Sequence, residues 1–243
     1  MTAIADVLFR EADEVVVRTP AEFLAMPEDY REVAVRQMLV HTEGELSGAE
    51  DYIEVFFPLA PTADERQVCC ERAVEEFNHY KIGAAVLAGV GVDTTGMEAQ
   101  ALTDRGLFAS PELHRITTWA ERGVFSFLGE DAVMDHLLEM QQSSYRPWAE
   151  SFASIIRDER VHIGHGARIV RGLLLTGDGR EQVQAAIDRL WPQFVALFGH
   201  PASRRSKLAV RWGLRQRSNG QALDAWVART VPRLDRLGLT VPA

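Results

Sequence analysis

Two Glu-x-x-His pairs stand out among the residues able to do chemistry: Glu76-Phe77-Asn78-His79 and Glu159-Arg160-Val161-His162. Three residues turn a helix through about 300°, so the carboxylate and imidazole of each pair lie side by side and can share one ligand. Both pairs fall on apolar faces. The second sits among Phe152, Ile155, Ile156, Ile169 and Leu173, and the first shares its face with Val68, Arg72, Ile82 and Val86. An acid and an imidazole on a core face are costly unless they pair or bind a cation. Carboxylate oxygen with imidazole nitrogen suits iron or manganese better than calcium or a thiolate-loving metal.

The elements that must position these pairs read as long helices. A first helix is predicted from about Glu28 to Phe57, ending before Pro58. Thr62 and Glu65 read as a capping box that opens a second helix to about Gly89. Residues 91–109 read as a loop, and Ser110-Pro111-Glu112 as the start of a third helix running to about Gln142. Pro147 suits a first turn and Gly177 a stop for the fourth. Then come a helix near Arg180–Phe198 interrupted at Pro192, a basic segment at 200–218, and a last helix near Gln221–Leu237. The expectation is an all-α fold, one domain over residues 1–243, with a four-helix bundle and additional C-terminal helices.

A two-metal carboxylate bundle takes one further acid from each of the other two helices. Helix one offers Glu45, in phase with Met38, Thr42 and Ala49, while Glu43 points about 200° away. Gly44 and Gly48 beside it break local helix preference, as functional sites do. Helix three offers Glu130 or Asp131, which periodicity does not separate. The candidate metal ligands are Glu45, Glu76, His79, Glu130, Glu159 and His162. Asp158 is placed to orient an imidazole from outside. His165 reads as an outer or surface residue, and Tyr52, Tyr80 and Tyr145 as packing residues.

The bounds agree with a metalloenzyme and exclude other classes. A net charge of −9 and a pI near 5.3 argue against a nucleic-acid binder. The start carries acids at Asp6, Glu11, Asp13 and Glu14, unlike a signal peptide, and no apolar run is long enough to span a bilayer. Cys69 and Cys70 are adjacent and imply no disulfide framework. A cytoplasmic protein is expected. Against the acidic background, Arg204, Arg205, Lys207, Arg211, Arg215 and Arg217 cluster. The patch reads as a solvated face or acidic-partner surface, or as a dock for the phosphates of a ligand, with Arg205, Lys207 and Arg211 as the candidate contacts.

With these residues in place, the chain resembles the catalytic subunit of the ring 1,2-phenylacetyl-CoA epoxidases, ferritin-like di-iron oxygenases of phenylacetate degradation. The likeness is carried by HTEGELSG at 41–48, RAVEEFNH at 72–79, FLGEDA at 127–132, SSYRPWAESFASIIRDERVHIGHG at 143–166, AIDRLWPQFVALFG at 186–199 and RWGLRQRSNGQALDAWVARTVPRLDRLGLTVP at 211–242. It favours Glu130 over Asp131. It implies two iron ions with dioxygen as co-substrate, and insertion of one oxygen atom into an aromatic ring held as a CoA thioester. Electrons would come from a reductase, and a structural partner subunit or homo-oligomer is expected. Glu45, Glu130 and Arg72 take the catalytic positions. Arg72 stands where that family has a lysine, Glu130 where it has an aspartate, and the family's subunit continues beyond the position of Ala243. The other readings are a hydroxylase of a carrier-bound or free substrate, a metal-storage or peroxide-scavenging protein of the same bundle type, and a non-catalytic scaffold subunit.

Overall fold

The computed structural model describes residues 15–109 and 111–242, so the acidic start from Asp6 to Glu14 lies outside the described residues. The chain forms α1 (Pro20–Ala25), α2 (Glu28–Glu50), α3 (Ala63–Gly89), α4 (Trp119–Val124), α5 (Glu130–Met140), α6 (Arg146–Leu173), α7 (Gly179–Leu197), α8 (Arg204–Arg211) and α9 (Asn219–Asp235). The described residues contain helices and one isolated bridge, Val17 to Tyr145, but no strand. None of their helices is long and apolar enough to cross a membrane.

The architecture is the expected ferritin-like bundle. Helix α2 packs along α3, and the α4–α5 rod packs along α6. Two of these rods carry π-helical turns, Asp51–Phe56 at the end of α2 and Phe125–Gly129 joining α4 to α5. Such turns are frequent at functional sites, where one extra residue per turn re-aims the side chains that follow. Here the second leads directly into Glu130.

Helix α3 opens after Thr62 as expected, while the start of the third rod and the run through Pro192 differ from expectation. The third rod starts at Trp119, with Pro111–His114 only a short 3-10 turn. Thr118 is the true start, because its hydroxyl accepts from Glu121 N while the Glu121 carboxylate accepts from Thr118 N and Thr117 N. At Thr62 the box is half made. The hydroxyl accepts from Glu65 N, but the Glu65 carboxylate turns to His165 Nε2 at 2.7 Å. Pro192 does not interrupt α7; a proline inside a helix costs about 3 kcal/mol, and burial of Val183, Ile187, Leu190 and Phe194 offsets it.

Two apolar cores flank the bundle axis. One gathers Phe56, Phe127, Phe194 and Trp226 and is closed by α7 and α9; the other gathers Tyr30, Met38, Trp148 and Trp212 against α1 and α8. Ion pairs from Arg229 and Arg233 to Asp131, and from Arg229 to Asp135, fasten α9 to α5. The basic segment therefore holds a helix, α8, which the sequence pattern did not reveal. Cys69 is buried and Cys70 exposed, both as free thiols.

Candidate metal centre

The six acids and imidazoles come together between the two cores. Glu45, Glu76, His79 and Glu159 offer ligand atoms within 4.8 Å of one another, and Glu130, Glu159 and His162 form a second such group. Glu159 belongs to both. All six are buried, and the cluster could hold a metal ion. Asp131 does not join it, because both its oxygens are taken by Arg229 and Arg233. Glu43 also stays apart, accepting from Leu107 N and Phe108 N to pin the 91–109 connection.

Local sequence explains the convergence. On α2, Gly48 leaves room for Glu76, since a Cβ there would lie 3.3 Å from Glu76 Oε2. On α6, Gly166 lets the second π turn approach; a Cβ would lie 2.5 Å from Phe127 N. Backbone cannot give way as a side chain can. Gly166→Ala is expected to destabilise the protein by about 2–3 kcal/mol and to displace Glu130, as read by urea unfolding and by metal content.

The two imidazoles are held alike. His79 Nδ1 faces the centre, 3.1 Å from Glu45 Oε2 and 3.7 Å from Glu76 Oε2, while Nε2 lies 3.4 Å from Asp158 Oδ2. His162 Nδ1 lies 3.1 Å from Glu76 Oε1, and Nε2 donates to Glu75 Oε2 at 2.8 Å. Carboxylates behind both rings fix their orientation. Asp158 was legible in the sequence; Glu75 was not, although it neighbours Glu76. Arg72 pairs with Glu75 and so reaches His162 only through it. Glu130 is held through Oε1, which accepts from Ser126 Oγ at 2.7 Å and Tyr52 OH at 3.2 Å, and buried Arg122 donates to both hydroxyls. Tyr52 is thus more than packing. His165 is buried against Glu65 rather than on the surface.

The charge balance is that of a cation site. Burial, then the Glu76 charge, lifts Glu45 well above the carboxylate range and Glu159 to about 7. Burial would also raise Glu76, but His162 and His79 outweigh it and hold Glu76 low. Burial would lower His79; contact with Glu45 and Glu76 wins and pushes it up to about 11. Among the six candidate ligands, two atoms are buried without hydrogen-bond partners, His162 Nδ1 and Glu130 Oε2, both in the second group. Orphaned donors and acceptors at one point in a core are costly, and a divalent cation there would satisfy both. The donor set fits a pair of ions.

One cavity opens on this cluster and a second adjoins it. One of about 50 Å³ is walled by Glu45, Glu76, Glu130 and Glu159. The other, about 360 Å³, shares His41, Phe108 and Val133 with the first and runs to Arg36, Arg205 and Arg215. His41 stands at the junction, 3.1 Å from Glu45 Oε1, and burial pushes it down to about 3, so it is neutral. Of the expected CoA contacts, only Arg205 lines the larger cavity. Arg211 stacks on Trp212, and Arg217 pairs with Glu139. Arg215 lies buried, bonded to Asn219 Oδ1, with Nε and Nη2 unpartnered.

The model of the phenylacetic acid catabolic proteins matches residues 19–243. The chain belongs to that family. Within the phenylacetic acid catabolic proteins, it is similar to one of the subunits of 1,2-phenylacetyl-CoA epoxidase from Escherichia coli (strain K12), with 24% identity over 220 residues, 89% of this chain and 71% of that one.

Proposed function

We propose that this phenylacetic acid catabolic protein is a di-iron oxygenase subunit, with manganese as the other fitting ion, that epoxidises or hydroxylates an aromatic or other acyl group held as a CoA thioester. The observation that carries this reading is the convergence of Glu45, Glu76, His79, Glu130, Glu159 and His162 on a small cavity that adjoins one of about 360 Å³. The similarity to an epoxidase subunit supports it. When bound, iron would supply dioxygen activation, one oxygen atom going to the substrate and the other to water, with electrons from a reductase.

The chain's own residues do the rest. Glu45, Glu76, His79 and Glu159 would hold one ion, and Glu130, Glu159 and His162 the other. Val33, Val40, Val133 and Phe198 along the larger cavity keep bulk water from the reacting ring. Arg215 and Arg36 offer fixed cationic charge to the carbonyl or phosphates of a thioester. A storage protein needs no such cavity. Assembly with a partner subunit follows from the same likeness, and a cytoplasmic location follows from a CoA thioester substrate.

The test is metal analysis of the purified protein followed by oxygen uptake with reductant, with and without phenylacetyl-CoA. Expected are two ions per chain and thioester-dependent uptake. Arg215→Ala should weaken thioester binding by about 10- to 100-fold, since charge-assisted bonds are worth roughly 1.5–3 kcal/mol, and should leave metal content unchanged. Uptake indifferent to any thioester would overturn the reading.

A further inference from the structure

The smaller cavity has a pair of groups in its wall that the reading above leaves unused. Asp51 opens the π turn after α2, and His114 closes the 3-10 turn Pro111–His114. His114 Nδ1 donates to Asp51 Oδ2 at 2.7 Å, and the residues are 8% and 2% exposed. Asp51 Oδ1 is buried with no hydrogen-bond partner. Both residues line the cavity walled by Glu45, Glu76, Glu130 and Glu159. Burial raises Asp51, the bond and charge of His114 oppose that rise, and the charges of Glu50 and Glu76 add to it. An apolar pair would fill this wall more cheaply, so packing does not account for it.

Oxygen insertion has a proton demand. Arene, dioxygen, two electrons and two protons give arene epoxide and water, the electrons coming from a flavin or iron–sulfur donor. The other titratable groups in the cavity wall are committed. Four belong to the candidate ligand set, His41 lies against Glu45, and Tyr52 donates to Glu130. Among the described lining residues, only Asp51 and His114 form a titratable pair clear of those contacts.

We propose that His114 is the proton donor of this cavity and Asp51 its positioning residue. Asp51 accepts from Nδ1–H and so fixes the ring, while the other ring nitrogen gives its proton to the oxygen atom that leaves as water. The N–H bond breaks, an O–H bond forms, and the neutral ring regains a proton from solvent before supplying the second. This assignment rests on the oxygenase reading.

The experiment is a single turnover of the protein loaded with ferrous ions, prereduced, and mixed with oxygenated buffer and phenylacetyl-CoA. Wild type is compared with His114→Gln and Asp51→Asn. Loss of a general acid is worth about 10²-fold or more, so His114→Gln should slow product formation by about that factor and Asp51→Asn by less. Both should keep two ions per chain. A readout free of turnover is the infrared stretch of azide added to the loaded protein. It should shift between H2O and D2O in wild type and lose that shift in His114→Gln. If His114→Gln fails to fold or load, the azide shift of Asp51→Asn decides, and it should shrink. An active wild type with a variant rate within threefold and an unchanged azide shift overturns this assignment alone. A wild type that forms no oxygenated product overturns both readings.

Discussion

Glu159→Gln is expected to lose both ions, with product formation falling about 10³-fold or more. Glu159 is the one residue shared by the two ligand-type groups, so neutralising it weakens both. The amide keeps shape and volume, which leaves charge and donor strength as the variables. Ions present at 1,000 times their dissociation constant contribute about 4 kcal/mol each to stability, which in a chain of this size is about 8–16 °C of melting temperature for each ion. That metal-induced rise should vanish in Glu159→Gln. The metal-free variant should melt no lower than metal-free wild type, because removing one of four crowded acids relieves repulsion. Calorimetry with and without ferrous or manganous salt, and metal analysis after dialysis, read both effects. Full retention of two ions per chain would refute the assignment of Glu159.

Periodicity brought out the six ligand-type residues because each is fixed by its own helix face, and a face is a local property. Glu45 against Glu43 was decided by phase alone, and Glu43 indeed turns away to the 91–109 connection. Glu130 against Asp131 was not, since adjacent residues both lie near the same boundary. What separates them is tertiary: Arg229 and Arg233, about a hundred residues on, occupy Asp131. The π turns were illegible for a related reason. They change register without changing composition, and the close approach that accompanies the second, Gly166 against Phe127, is a tertiary contact. The Arg204–Arg217 patch is a solvated face in part, with Arg204, Arg205, Lys207 and Arg211 exposed, but a charge run says nothing of direction. Its members part company, with Arg215 buried, Arg211 on Trp212 and Arg217 on Glu139, while Arg36 in the same cavity comes from α2. His114 and Asp51 were invisible as a pair, since a contact across 63 residues leaves no sequence trace.

Metal binding is expected to expel protons, about two or three per chain at pH 7, and this follows from the cluster's own charge balance. Without cations the site is neutralised by protons. Against the lowering by burial, contact with Glu45 and Glu76 holds His79 protonated up to about 11, and Tyr52 and Glu159 raise His162, while burial lifts Glu45 and brings Glu159 to about 7. Ligation requires the neutral imidazoles and ionised acids, so every ion bound must displace protons. The sign is fixed: these groups carry more protons free than metal-bound, so affinity rises with pH. With at least one proton displaced per ion, apparent affinity should fall at least about tenfold for each unit of pH lost between 8 and 6. Glu76 should contribute little, because the two imidazoles already keep it ionised. Titration calorimetry of manganous ion in buffers of differing ionisation enthalpy measures the proton count directly. A pH-independent affinity would mean that the ions bind elsewhere than among these six groups. Glu75→Gln removes the acceptor behind His162 Nε2 without touching a ligand atom, and should lower the proton count along with the affinity of the second site.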